Sequence, residues 1–198
     1  PPTPPPPPPP TPLTTKRMQG YTSDDSYELN PLDTYVDDTS LAPPCGSEPC
    51  MVNRIIEIAQ ISASDVVYDL GAGDGRICFA AQEAGAHTVV GVEIIEEVCE
   101  AFRKKISEKK VEKTVTCICG DLRNIDYSPA TVLLIYLLPD ALTILEPGIL
   151  NMLEKRNEDF RVVCNSWGFK NIEPAEKVVV RENQMEVTFF VYKGKQPQ

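Results

Sequence analysis

Apolar residues recur along this chain with two alternating periods. From Ser47 onward, Met51, Val52, Ile55, Ile56 and Ala59 fall at helical spacing, with Pro49 where a first helical turn tolerates proline. Short apolar runs then take turns with helical stretches. Val66–Leu70 reads as a strand, followed by a glycine-rich turn and a helix from about Arg76 to Ala84, which Gly85 is placed to end. His87–Glu93 reads as a second strand. Ile95–Lys109 reads as a helix, with Val98, Phe102 and Ile106 on one side. Thr114–Cys119 is a third strand, and Ala130–Leu138 a fourth, apolar nearly throughout as a central parallel strand should be. Helical material over Leu142–Glu154 leads to a fifth strand, Arg161–Asn165. Lys177–Arg181 and Glu186–Tyr192 then read as a hairpin joined through Glu182 and Asn183. Strand–helix alternation closed by a strand pair predicts an α/β, doubly wound, mostly parallel sheet with a C-terminal antiparallel hairpin, in a single domain over residues 47–195.

The N-terminal residues follow neither period. Residues 1–12 are almost all proline and are expected to form a solvated polyproline II stretch, as a disordered linker or as a ligand for an SH3 or WW domain. Residues 13–46 are polar and acidic, with Asp24, Asp25, Glu28, Asp33, Asp37 and Asp38. Together residues 1–46 read as a proline-rich and acidic tail, largely disordered. The first residue is proline rather than methionine, as in a fragment or a processed chain.

Composition narrows the function. The 198 residues are 42% hydrophobic, enough for one domain with a real core plus a tail. The formal net charge of −10 repels phosphate backbones, which disfavours nucleic-acid binding and favours a basic or lysine-bearing protein partner. No apolar run approaches the roughly 20 residues that span a bilayer, and no secretory signal pattern opens the chain, so an intracellular, cytoplasmic setting is expected. The seven cysteines (Cys45, Cys50, Cys78, Cys99, Cys117, Cys119, Cys164) lack the compact repeated spacing of a disulfide framework. Cys117 and Cys119 share one face of a strand, but with His87 as the single histidine a metal site is not expected.

The informative segment is Val66-Val67-Tyr68-Asp69-Leu70-Gly71-Ala72-Gly73-Asp74-Gly75-Arg76. It follows a hydrophobic strand and opens a helix. Gly71 and Gly73 let the backbone turn sharply and admit a ligand against bare peptide. Ligands of open α/β sheets bind at the carboxyl ends of strands, where this turn lies. A dinucleotide fingerprint is G-x-G-x-x-G, aimed at a pyrophosphate. Here the order is G-x-G-x-G, with Asp69 before it. A carboxylate there repels a pyrophosphate and suits an ammonium group, such as the methionine part of S-adenosyl-L-methionine. Glu93 closes the second strand, 22 residues after Gly71, and can accept both hydroxyls of a ribose. Asp121, in Gly120-Asp121-Leu122, closes the third strand and can accept an adenine amino group.

V-Y-D-L-G-A-G-D-G-R-I, then G-V-E, then G-D-L resembles the seven-strand class I methyltransferases, over about residues 47–192. It is most similar to the subgroup that contains the ATP-synthase c-subunit lysine methyltransferases and their bacterial relatives. The non-SET histone lysine methyltransferases are similar but more distant. The subgroup's D-G-R-I continuation is present, and Ile135-Tyr136-Leu137-Leu138-Pro139-Asp140 matches its aromatic-L-L-P signature. Its aromatic-V-x-T-P lead-in is matched only in part, by Tyr35-Val36 before Asp37 and Asp38, with Glu48-Pro49 further on. The resemblance implies a Rossmann-like seven-strand sheet and S-adenosylmethionine as cofactor. It implies Asp69, Gly71 and Gly73 at the methionine end, Glu93 at the ribose, Asp121 with Leu122 at the adenine, and Tyr136 beside the sulfonium. It places Tyr35 and Glu48 over the cofactor. The N/D-P-P-Y/F tetrad of amide and nucleobase N-methyltransferases is absent, because Leu137-Leu138-Pro139-Asp140 stands there. The expected reaction is in-line methyl transfer to lysine side chains of a protein. A small-molecule methyltransferase and a catalytically silent scaffold with a proline-rich docking tail are the alternatives. Tyr136 and Trp167 are candidates to flank the acceptor, since aromatic faces attract methylated ammonium groups, although Trp167 can equally be a packing residue. Asp140 can hold an incoming ammonium or cap the following helix.

Overall fold

The computed structural model describes residues 49–182 and 185–195. The tail expected over residues 1–46, and the disorder and docking role expected of it, fall outside the described residues. In chain order the elements are α1 (Pro49–Ala59), β1 (Val66–Leu70), α2 (Arg76–Glu83), β2 (Thr88–Glu93), α3 (Glu96–Lys109) and β3 (Val115–Cys119), then β4 (Val132–Ile135), α4 (Pro139–Lys155), β5 (Arg161–Asn165), β6 (Glu176–Glu182) and β7 (Met185–Lys193). The seven strands form one sheet in the order β3-β2-β1-β4-β5-β7-β6. The first five strands run parallel, and β7 pairs antiparallel with both β5 and β6.

The period-2 geometry of the strands splits the core into two layers. Val67, Val89, Val132, Leu134 and Val163 face α1, α2 and α3. Tyr68, Leu70, Leu133, Ile135 and Val162 face Leu142, Leu145, Ile149 and Leu153 of α4. The turn after α2 shows how closely local sequence sets an element's end. Gly85 takes φ 96°, its N–H donates to Gln82 O at 3.0 Å, and the Ala86 N–H donates to Ala81 O at 3.1 Å. That is a Schellman closure.

Two elements, β4 and α4, differ from the sequence reading by more than one residue. β4 covers Val132–Ile135 rather than Ala130–Leu138, because its neighbour β1 ends at Leu70, which pairs with Ile135. Tyr136, Leu137 and Leu138 leave the sheet there. α4 begins at Pro139, three residues before the expected Leu142, with proline in the first turn where its missing N–H costs nothing.

The amino ends of the central strands, opposite the glycine turn, are locked by Asp65, which is 3% exposed. Its carboxylate accepts from the Ser62 N–H (2.7 Å), Ser62 Oγ (2.8 Å), Thr131 Oγ1 (2.8 Å) and Arg161 Nη2 (2.8 Å). Burial alone would raise this carboxyl's pKa, but the Thr131, Ser62 and Arg161 donors outweigh it and hold it below the usual range. Asp65→Ala leaves a largely buried guanidinium without its counter-charge. The expected cost is about 3 kcal/mol, or a Tm roughly 10 °C lower by circular dichroism. A fall of under about 2 °C contradicts this. Among the described residues, no helix is long and apolar enough to cross a membrane.

Candidate active site

The site begins where β1 stops. Gly71, Gly73 and Gly75 take φ of 90°, 53° and 82°, so the chain reverses through conformations that side chains resist. The N–H groups of Gly71 and Ala72 both donate to Val92 O at 2.9 Å, which ties the turn to β2. Glu93, the last residue of β2, then reaches across. Its Oε2 accepts from the Gly73 N–H at 2.9 Å, and its Oε1 accepts from the N–H groups of Ile94 (2.8 Å) and Ile95 (3.0 Å). Three backbone donors therefore orient this carboxylate, and Oε2, which accepts one of them, keeps capacity for a further donor.

Asp69 lies beneath the turn and is 2% exposed. Its hydrogen-bond partner is the Cys78 thiol, 3.5 Å from Oδ2. Burial pushes its pKa up to about 7, the Cys78 hydrogen bond opposes the rise, and the charges of Glu93 and Asp74 add to it. Among the described residues the weak thiol is its one hydrogen-bond donor, and a buried carboxylate so served is costly to ionise. Asp74 is different. It accepts from Arg76 Nε and Lys105 Nζ, each at 2.9 Å. Burial would raise its pKa, but these two cations outweigh burial and hold it below the usual range. So Asp74 is already neutralised, and Asp69 is the carboxylate that a bound cation would relieve. This donor set fits S-adenosylmethionine, whose α-ammonium and sulfonium are positive, and it rejects a pyrophosphate.

Sequence reasoning missed Asp74 and Cys78. The acid two residues before Arg76 was a visible signal for the first. Nothing local marks Cys78, because its role depends on the fold bringing α2 against β1.

Asp121 follows β3, and the Gly120 N–H donates to Glu93 O at 2.8 Å, which keeps the two strand ends adjacent. Both Asp121 oxygens are engaged by Arg123: Nε lies 2.8 Å and Nη2 2.5 Å from Oδ2, and the Arg123 N–H lies 2.9 Å from Oδ1. Hydrogen bonding from this guanidinium holds the Asp121 carboxyl below its usual range. An amino group arriving here shares the carboxylate with Arg123 or displaces it. Leu122 is buried in the α4-side core.

At the ends of β4 and β5 the rings of Tyr136 and Trp167 lie nearly parallel, 16° apart, with centroids separated by 6.2 Å. Carbon atoms in contact lie about 3.5–4 Å apart, so a chain threaded between two rings needs roughly 7–8 Å. The pair therefore makes one continuous wall and not a two-sided clamp. Trp167 is 38% exposed, which removes the purely internal packing role. Asp140 is exposed in the first turn of α4, and Leu138 occupies the cap position, so Asp140 does not cap the helix. Tyr35 and Glu48 lie outside the described residues.

Among the described residues the six cysteines stand outside any disulfide. Cys117 and Cys119 do share a neighbourhood with Cys99: Cys117 Sγ lies 3.9 Å from Cys99 O, and Cys119 Sγ 3.9 Å from Ile94 O. Burial raises the pKa of all three. Among the described residues, no group of three ligating side chains is arranged to hold a metal ion.

The matches to known proteins agree with this geometry. A family model described as the ANTKMT methyltransferase domain matches residues 69–176. A relative from Saccharolobus islandicus, named Protein-lysine N-methyltransferase, is 33% identical over 143 residues, covering 72% of this chain and 87% of its own. A solved RNA methyltransferase from Salinibacter ruber, in complex with S-adenosyl-L-homocysteine, is 30% identical with a TM-score of 0.69, covering 78% of this chain and 96% of that one. A tRNA m1G37 methyltransferase from M. jannaschii shares the fold at 20% identity and a TM-score of 0.57, covering 77% and 52% of the two chains. The strand order, the acidic glycine turn and these matches lead to one conclusion: the chain belongs to the ANTKMT methyltransferase domain family and is a class I S-adenosylmethionine-dependent methyltransferase.

Proposed function

We propose that the enzyme methylates lysine side chains of a basic protein partner. The observation that carries this reading is the Tyr136–Trp167 wall, standing at the same carboxyl end of the parallel strands as Asp69 and Glu93 in a chain of net charge −10. S-adenosylmethionine, when bound, supplies an activated methyl group on a sulfonium. Asp69, Gly71 and Gly73 hold its methionine end, Glu93 its ribose, and Asp121 with Leu122 its adenine. Tyr136 lines the reacting region, and Tyr35 and Glu48 belong to its cover. A lysine amine must lose its proton before it can attack, and a water-poor aromatic wall favours the neutral form. Asp140, exposed in the first turn of α4 that follows Tyr136, attracts the incoming ammonium. The rings then favour the methylated product cation over a small polar one.

The name of the Salinibacter relative favours a second reading, an RNA acceptor. The acidic field opposes it, since each approaching phosphate meets like charge. The Saccharolobus relative's name and its 87% coverage support the protein reading. The free thiols suit an intracellular, cytoplasmic setting. The P-x-x-P spacing of residues 1–12 suits an SH3- or WW-type partner.

The test is transfer of labelled methyl from S-adenosylmethionine into a cell lysate, split by protease and ribonuclease treatment. The expected label is protease-sensitive and resides in methyl-lysine after hydrolysis. Label lost to ribonuclease selects the RNA reading, and label confined to small molecules removes both.

A further inference from the structure

We infer that Ser166 and Glu146 are positioning residues that hold Trp167 parallel to Tyr136, and thereby set how an acceptor is presented. The inference rests on reading that ring pair as the acceptor wall. Among the described residues, the non-glycine positions with positive φ are Gln60, Lys110 and Ser166. Gln60 and Lys110 directly follow helices, where a left-handed residue commonly ends the last turn. Ser166 follows a strand. It takes φ 67°, and the Trp167 N–H donates back to Asn165 O at 2.8 Å, closing a three-residue γ-turn of the rare positive-φ kind. The strained residue is thus the one that aims the tryptophan.

Such a conformation persists only where its surroundings over-determine it. Here they do. The Ser166 N–H donates to Thr188 O at 2.9 Å, and Ser166 Oγ lies 3.0 Å from Oδ1 of the buried Asn165. Beyond the tryptophan, the Phe169 N–H donates to Tyr192 Oη at 2.8 Å. The N–H groups of Lys170 and Asn171 donate to the two carboxylate oxygens of Glu146, at 2.9 Å and 3.0 Å. Glu146 is 6% exposed and projects from the middle of α4. An apolar side chain there would pack without desolvating a charge. The carboxylate instead captures two backbone donors of the segment that carries Trp167. Packing alone does not call for this, because Trp167 itself is 38% exposed and leans on Tyr136.

Trp167 is the one tryptophan of the chain, so its emission reports this position alone. The experiment compares Glu146→Gln, Ser166→Val, Ser166→Gly and Trp167→Ala. The readouts are acrylamide quenching, S-adenosylmethionine affinity by calorimetry, and the initial rate of labelled methyl transfer into the lysate protein band that the wild type labels. Glu146→Gln and Ser166→Val are expected to raise the quenching constant about twofold and lower the rate about tenfold, with cofactor affinity held within about threefold. Ser166→Gly, which adopts positive φ without strain but loses the Oγ contact with Asn165, is expected to keep cofactor affinity and to fall between the wild type and Ser166→Val in quenching and rate. If Glu146→Gln does not fold, Ser166→Val decides. Quenching unchanged in the variants that fold overturns the inference. An unchanged rate in Trp167→Ala, which is read by rate and cofactor affinity alone, overturns instead the acceptor-wall reading on which it rests.

Discussion

Asp69→Asn is expected to abolish measurable S-adenosylmethionine binding while raising the thermal stability of the ligand-free protein at pH 8. Both effects have one cause. Asp69 is buried, its partner is a thiol, and burial carries its pKa to about 7, with Glu93 and Asp74 adding like charge. The folded protein therefore holds a proton that the unfolded chain, with an ordinary carboxyl at 3.8, has released. Stability falls as pH rises from about 4 to about 7, because across that window the folded state binds more protons than the unfolded state. The interval corresponds to at most about 4 kcal/mol. Asparagine removes the penalty, and a Tm gain of roughly 5 °C at pH 8 follows, visible by calorimetry. The same carboxylate attracts a cationic ligand only when ionised. Wild-type affinity is expected to fall about tenfold from pH 8 to pH 6. A variant that binds like the wild type, or that is less stable at pH 8, removes Asp69 from the role assigned to it.

Two glycines of the same turn should fail in opposite ways. A Cβ on Gly73 meets nothing within 4 Å, so Gly73→Ala is expected to fold with a loss of about 1 kcal/mol from its φ of 53°. Its methyl group occupies the ligand face, and cofactor affinity should drop 100-fold or more, by about 3 kcal/mol. A Cβ on Gly75 lies 2.0 Å from Phe102 Cε2, and Phe102 is fully buried. That ring also sits against Gly91, where a Cβ would meet it at 2.5 Å, so it has no room to retreat. Gly75→Ala combines an unfavourable φ of 82° with overpacking, and roughly 3–5 kcal/mol of stability should be lost. Urea titration beside calorimetry separates the two. If Gly75→Ala proves as stable as Gly73→Ala, the packing role given to the third glycine is wrong.

Much of this could be read before any coordinates. β1 and β5 match their expected bounds because each is a short β-branched run with abrupt polar punctuation. That Asp69 and Glu93 stand at strand ends was legible because the sheet period and the glycine turn locate where β1 and β2 stop. β4 was overread because Ala130 and Leu137 are apolar for the core's sake, while pairing with β1 decides where the strand stops. The place of β7 between β5 and β6 was not foreseen. Its residues carry the clue: Phe189 lies in one core layer and Tyr192 in the other, as an inner strand requires, whereas β6 is half exposed throughout. Contacts between distant positions stayed hidden. Asp74 meets Lys105, 31 residues away, and Glu146 meets Lys170 and Asn171, 24 and 25 residues away. No local pattern encodes such pairs.

The most direct test of the whole account is a crystal structure of the protein with S-adenosyl-L-homocysteine. The expected density lies along the Gly71–Gly73 turn, with the amino-acid end toward Asp69, the sugar on Glu93, the base near Asp121, and the sulfur facing the Tyr136–Trp167 wall. A ligand bound elsewhere, or a sulfur turned away from those rings, contradicts it.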